Sequence, residues 1–263
     1  MKIIGANLGE IESEYKPLSE WNYTSHPDGI RILKYLENIY YNAVENVKDT
    51  TINDFPTEGD QVIVQPGMIN HRCSLDIGTL KGISEYGVLA SEWFGQYESE
   101  LEGRFCTFVD RIKPEDYIDQ YENYRRLNAG YHALLFFDAE NKVMQYLLHL
   151  DYFKYEGIKR SNPNRIEEMY TKEEIELFEE VIEPLSPAGK DFHDEDKKKL
   201  RYYYWSAIPG GIPSELVNGI CLTSNEYTEE YIEQLSNLFP NATIFNGLKQ
   251  IIFKPEKTKK HNR

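Results

Sequence analysis

The feature that most constrains the fold is a series of short β-branched and aromatic runs that do not alternate regularly with helices. "QVIVQ" (residues 61–65), "RFCTFV" (104–109), "ATIFN" (242–246) and "QIIFK" (250–254) each read as a strand, because such residues fit a pleated, half-buried surface. "HALLFFDAENKVMQYLLHLDYF" (132–153) reads as two apolar strands joined around Asp138 to Lys142, a hairpin by composition. A doubly wound sheet would place a helix after nearly every strand. Strands here outnumber helices and rarely alternate with them, which predicts an α+β fold with a mixed or antiparallel sheet and peripheral helices.

Three helices stand out. In "SHPDGIRILKYLENIYYNAVENVKD", Ile30, Leu33, Leu36, Ile39, Tyr40, Ala43 and Val47 recur at helical spacing behind a Ser25–Asp28 capping box with Pro27 in the first turn. "TKEEIELFEEVIEPL" opens on a Thr171–Glu174 capping box and stops at Pro184. A later capped helix carries Tyr231, Ile232, Leu235 and Leu238. The Pro/Gly/Asp break at Asp54 to Asp60 suggests a boundary, with residues 1–55 as an N-terminal helical lobe or part of the same domain. Residues 56–254 then form the main domain, and 255–263 a basic tail.

With 263 residues and 40% hydrophobic content the chain can fill a substantial core. Its 29 Lys and Arg against 44 Asp and Glu give a net charge of -15, which repels polyanions except at a local basic patch or at the tail "KPEKTKKHNR". The 20 tyrosines suit either a Tyr-rich core edge or a stacking surface. Cys73, Cys106 and Cys221 form no C-x-x-C pair, and no apolar run is long enough for a signal-peptide core or a membrane span. A cytoplasmic protein with no membrane partner is the expectation.

The sequence contains no Walker loop, G-x-G-x-x-G, G-x-S-x-G or H-E-x-x-H. Two His/carboxylate groupings remain, "HLD" at His149 to Asp151 and "FHDED" around His193 and Asp194. On a strand His149 and Asp151 would share a face, as ligands of a metal-dependent hydrolase could. A more specific grouping lies in "INHRCSLDIGTLKGISEYGVLASEWFG" (69–95). Here a strand ending at His71-Arg72 turns through Ser74 into a short helix, capped by Ser74 or Asp76, packed through Ile77, Leu80 and Ile83, and closed by Gly87. A ring nitrogen, a guanidinium and a hydroxyl at one strand end can hold a diphosphate or a ribose. Glu92, Trp93, Glu98, Glu100 and Arg104 follow directly, and would suit a nucleotide with a stacked ring or a salt-bridged loop equally well.

The run "H-x-x-S" followed by "LDIGTLKGISEYGVLAS" resembles the opening of ADP-ribosyltransferase-fold proteins. There a strand-end His or Arg precedes a small hydroxyl residue and a helix of the form "L-x-x-I-x-x-x-G-[LVI]". It is most similar to the DNA-targeting ADP-ribosyltransferase toxins and the RNA 2'-phosphotransferases. "AIPGGIPSELVNGICLTSNEYTEEYIEQLSNLFP" resembles the late segment of those toxins, in the same order along the chain. The two segments cover about a fifth of the sequence.

The resemblance implies a split mixed or antiparallel sheet and NAD as a substrate. His71 would bind the nicotinamide-side ribose, Ser74 would lie nearby, and Arg104 would face a phosphate. Arg72, Trp93 and Tyr204 complete the implied nucleotide-binding set. The family's catalytic glutamate belongs on the strand before the proline turn, where this chain has "LRYYYWSAIP" and no acid. Glu98 or Glu100 would then supply the carboxylate. The resulting expectation is ADP-ribosyl transfer to a protein or nucleic-acid target, as in a toxin or a phage-conflict factor. The alternative is a catalytically silent relative that binds a nucleotide or a partner protein.

Overall fold

The computed structural model describes residues 29–89, 106–112, 132–182, 205–223 and 227–256. Helix α1 spans Gly29–Val47. Leu36, Tyr40, Ala43 and Val47 recur every three or four residues and are all buried, so one stripe of the helix enters the core. The expected Ser25–Asp28 cap lies outside the described residues.

A seven-stranded sheet forms the centre of the fold. Its strands are β3 (Ile69–Ser74), β5 (Cys106–Arg111), β6 (His132–Phe137), β7 (Trp205–Pro209), β9 (Val217–Leu222), β10 (Thr243–Asn246) and β11 (Ile251–Phe253). They lie in the order β11-β10-β9-β6-β3-β5-β7. The β9–β10 pair is parallel, and every other pair is antiparallel. A parallel pair needs a crossover, supplied here by α7 (Glu229–Leu238), whose first turn is capped by the Thr228 side chain. Two small ribbons flank the sheet, one pairing β1 (Thr57–Glu58) with β2 (Gln61–Val62) and one pairing β4 (Val88–Leu89) with β8 (Gly211–Ile212). The protein is therefore α+β, as its strand-rich pattern requires.

Successive residues of a strand face opposite sides, and β6 shows the consequence clearly. Ala133, Leu135 and Phe137 face a core built with α1, α2 (Ile77–Tyr86), α3 (Lys142–His149) and α7. Leu134 and Phe136 face the other way, where Cys221 and Phe245 of the sheet meet Phe55, Val62 and Val64. The second face is thus covered by an extended segment and a two-residue strand. Ala43 and Val47 of α1 belong to the first core, together with residues from β3 to β10.

The aromatic residues form a third cluster. It joins α4 (Tyr152–Ser161), α5 (Ile166–Met169), α6 (Lys172–Glu176) and a π-helical turn at Leu177–Ile182 to Leu36 and Tyr40 of α1. Tyr155 and Phe178 stack at 4.2 Å, and Tyr170 meets Phe178 edge-on at 5.4 Å. Tyr40, Tyr152, Tyr155 and Tyr170 are buried, so these four serve the core.

Three local expectations are corrected. Residues 132–153 do not form a hairpin, because after β6 the chain enters α3. Asn141 caps that helix by accepting a hydrogen bond from the Val143 amide at 2.9 Å, and Val143, Met144 and Leu147 bury a single helical face. "QVIVQ" is a strand only over Gln61–Val62: Ile63 donates its amide to the Pro56 carbonyl, although Val64 is still buried. The strand expected from Arg104 to Val109 is described from Cys106 and continues to Arg111. By contrast, the Thr171–Glu174 capping box forms in both directions.

Candidate functional site at the end of the central sheet

β3 runs continuously through Ser74, two residues beyond the strand end expected at Arg72. Ile69 and Cys73 pack into the helix-covered core, so His71, between them in the alternation, lies on that face. Asn70, Arg72 and Ser74 take the opposite face. The register agrees, since His71 is opposite Leu135 while Arg72 is opposite Leu134 and Ser74 is opposite His132. Neighbouring His71 and Arg72 are therefore separated by the thickness of the sheet.

The Arg72 face carries a histidine that the sequence reading missed. Nη2 of Arg72 lies 3.0 Å from Nε2 of His132. A guanidinium only donates, so Nε2 of His132 is the acceptor and carries no hydrogen. Burial and the neighbouring Arg72 both lower the pKa of His132, opposed by a hydrogen bond to the backbone of Cys73. The His132 carbonyl accepts from the Thr223 hydroxyl at 2.7 Å and from its amide at 3.2 Å, which ties β6 to the end of β9. His132 is recognisable only through strand pairing, which its position in "YHALLFF" does not disclose.

Ser74 and Asp76 both serve the turn into α2. The Ser74 hydroxyl accepts from the Asp76 amide at 3.1 Å, and the Asp76 carboxylate accepts from the Thr79 amide at 3.0 Å as N-cap. Gly87 closes the helix, as its position predicts. Tyr231 of α7 donates its hydroxyl to the Leu75 carbonyl at 2.7 Å, and pins the crossover helix to the same turn. Burial pushes the Cys73 thiol up to about 12, which leaves it protonated and unreactive near neutral pH.

His149 and Asp151 do not share a strand face. His149 ends α3, with Nε2 3.4 Å from Oε2 of Glu174 and its ring 4.8 Å from that of Tyr170. Asp151 is the N-cap of α4, and its buried Oδ1 accepts from the Phe153 amide at 3.1 Å and the Ala207 amide at 2.8 Å. Burial raises the Asp151 pKa. The hydrogen bonds from Ala207, Ser206 and Phe153 and the charge of Arg111 oppose that shift. Among the described residues no group of three or more His, Cys, Asp or Glu could hold a metal ion. A carboxylate does reach β7, the strand in which no acid occurs, but it arrives from α4 and is buried.

Trp93, Glu98, Glu100, Arg104 and Tyr204 lie outside the described residues, as do His193 and Asp194. A separate open groove of about 460 Å³ lies between α7 and β11, lined by Tyr227, Ile232, Ile252 and Phe253 with Glu229, Glu233 and Ser236. None of the sequence-predicted site residues lines it. Among the described residues no helix is long and apolar enough to cross a membrane. Site and fold together define an α+β protein with an Arg–His pair at one end of its sheet. No family model, curated protein or solved structure matches the chain.

Proposed function

We propose that this protein binds NAD through the face of β3 that carries Arg72 and Ser74, and transfers ADP-ribose to a macromolecular acceptor. The observation that carries the binding part is the grouping of the Arg72 guanidinium, the Ser74 hydroxyl and the His132 ring at one end of three adjacent strands. Guanidinium and hydroxyl donors suit the oxygens of a diphosphate. The transfer part rests on the resemblance of residues 71–91 and 207–240 to ADP-ribosyltransferase-fold proteins. That late segment contains β7, a turn at Gly210, β8, β9 and α7. In this reading Arg72 holds phosphate, Trp93 and Tyr204 contact the ring systems, Arg104 adds a second phosphate contact, and Glu98 or Glu100 acts on the acceptor. His71, on the other sheet face, contacts the nicotinamide-side ribose only if the ligand wraps around the strand end.

The test is calorimetric titration with NAD combined with measurement of nicotinamide release. Binding that weakens at least tenfold in Arg72→Ala, together with release that requires Glu98 or Glu100, supports the proposal. A wild-type protein that neither binds NAD nor releases nicotinamide overturns it.

A catalytically silent, nucleotide-binding relative is the second reading, and β7 favours it. The strand expected to carry the catalytic acid presents Ser206, Ala207 and Ile208, all buried, and the nearby Asp151 is spent on backbone amides. NAD binding without nicotinamide release, unchanged in Glu98→Gln and Glu100→Gln, selects this reading.

A further inference from the structure

We propose that the lysine-rich segment 257–263 lies across the open groove between α7 and β11 and is its native occupant. The groove is separate from the proposed nucleotide face, since none of Arg72, Ser74 and His132 lines it. Helix α7 buries Tyr231 and Leu235 in the sheet core. Glu229, Ile232, Glu233 and Ser236 follow at helical spacing on an adjoining stripe that walls the groove. Tyr227, Ile252 and Phe253 supply the rest of the apolar lining, and with Ile232 they are only partly buried. An apolar floor beneath two carboxylates fits a chain whose side chains are cationic at the tip and apolar along the stem.

The surrounding charges single out segment 257–263. No lysine or arginine lines the groove, and the ion pairs among the described residues involve neither Glu229 nor Glu233. Lys254, next after Phe253, directs its ammonium to the Thr57 hydroxyl of β1 at 2.8 Å. The described residues end at Glu256, and "KTKKHNR" follows directly, with Lys257, Lys259, Lys260 and Arg263 and no acid. Extended, a segment of this length reaches about 23 Å, ample for crossing from β11 to the helix beside it. Glu229 and Glu233 stand one helical turn apart, about 6 Å, and alternate lysines of an extended chain, such as Lys257 and Lys259, stand about 6.6 Å apart. Lysine stems laid along Ile232, Ile252 and Phe253 shield them from water while the ammonium groups meet the two carboxylates. Each exposed ion pair is weak, but the short tether keeps the segment at a local concentration of roughly millimolar, so weak contacts suffice. Any other ligand of this groove must displace the chain's own segment.

Zero-length carbodiimide cross-linking of the full chain, read by peptide mass spectrometry, tests this. Glu230 is exposed on the same helix but does not line the groove, and serves as the internal reference. Links from Lys257, Lys259 and Lys260 to Glu229 and Glu233 are expected to exceed those to Glu230 by about fivefold, the ratio that a favourable exposed ion pair supports. Salt at about 0.5 M should erase the preference. Equal yields at the three glutamates overturn the proposal. A mixture of ¹⁴N- and ¹⁵N-labelled protein separates links within one chain from links between two. Links found only between chains assign the groove to a second copy and also overturn it. Substituting Lys257→Gln, Lys259→Gln and Lys260→Gln together leaves every described residue intact, and is expected to shift the backbone amide resonances of Ile232, Glu233 and Ser236. Unchanged resonances there overturn the proposal independently of the cross-links.

Discussion

Oδ1 of Asp151 accepts the Ala207 amide of edge strand β7 at 2.8 Å and the Phe153 amide of α4 at 3.1 Å, so one oxygen atom joins the aromatic helical layer to the sheet. Asp151→Ala leaves two backbone donors without partners and removes a helix cap. The expected loss is about 2–4 kcal/mol in urea unfolding. Asp151→Asn keeps an oxygen in the same place, and is expected to stay folded. The raised carboxyl value sets the sign of the pH effect. The native state holds this proton to higher pH than the unfolded chain, so its contribution is full below about pH 4 and is lost as pH rises through the native value. Unfolding midpoints measured from pH 4 to 7 should show that this component is absent in Asp151→Asn.

At the end of α2, Gly87 has φ of 81° and stands against α1 and β8. A Cβ at this position would lie 2.7 Å from the Ile212 carbonyl oxygen and closer still to the Tyr40 hydroxyl, which donates to the Tyr86 carbonyl. Gly87→Ala should cost about 2–4 kcal/mol through left-handed backbone strain and the clash. Adding Tyr40→Phe removes only one of the two obstructions. Thermal melts of the double variant should therefore recover little, whereas full recovery would assign the whole cost to the phenol.

The second sheet face depends on Phe55 lying flat on Gly219. A Cβ on Gly219 would come within 3.0 Å of Cγ of that ring. Phe55 also contacts Phe245 at 5.2 Å and Phe136 at 5.3 Å, so it cannot shift without breaking the aromatic group. Gly219→Ala is expected to destabilise by about 1–3 kcal/mol through overpacking. Combining it with Phe55→Leu should give a smaller loss than the sum of the single substitutions, as a double-mutant cycle would show.

Acid should act through His132. Its lowered value means that the native state resists protonation which the unfolded chain accepts near pH 6.5. The contribution is therefore present above that pH and is lost as pH falls through the native value. His132→Gln should show a flatter decline in denaturation midpoint between pH 7 and 5 than the wild type. An identical decline would place the acid sensitivity elsewhere.

Much of the fold was legible because local rules and tertiary packing agree. The stripe at Leu36, Tyr40, Ala43 and Val47, the Thr171 capping box and the short strands β6, β10 and β11 all follow from pattern. Residues 142–149 misled because apolar composition fits a strand or a buried helix equally. The Asn141 cap decides between them. The site was legible only in part. His71, Arg72 and Ser74 share one short segment, but alternation along β3, which runs on through Ser74, puts His71 on the sheet face opposite the other two. His132 was invisible because its importance comes from register with a strand some sixty positions earlier.

The order of strands in the sheet has a consequence for synthesis. Asp110 pairs with Trp205, and Phe136 pairs with Gly219, so β5 and β6 lack one flank until the last third of the chain has been made. Such distant pairings close slowly and leave apolar strand edges without partners while the ribosome is still translating. β6 therefore keeps one edge open until Val217–Leu222 emerges and pairs with it, and that strand waits in turn for Thr243–Asn246.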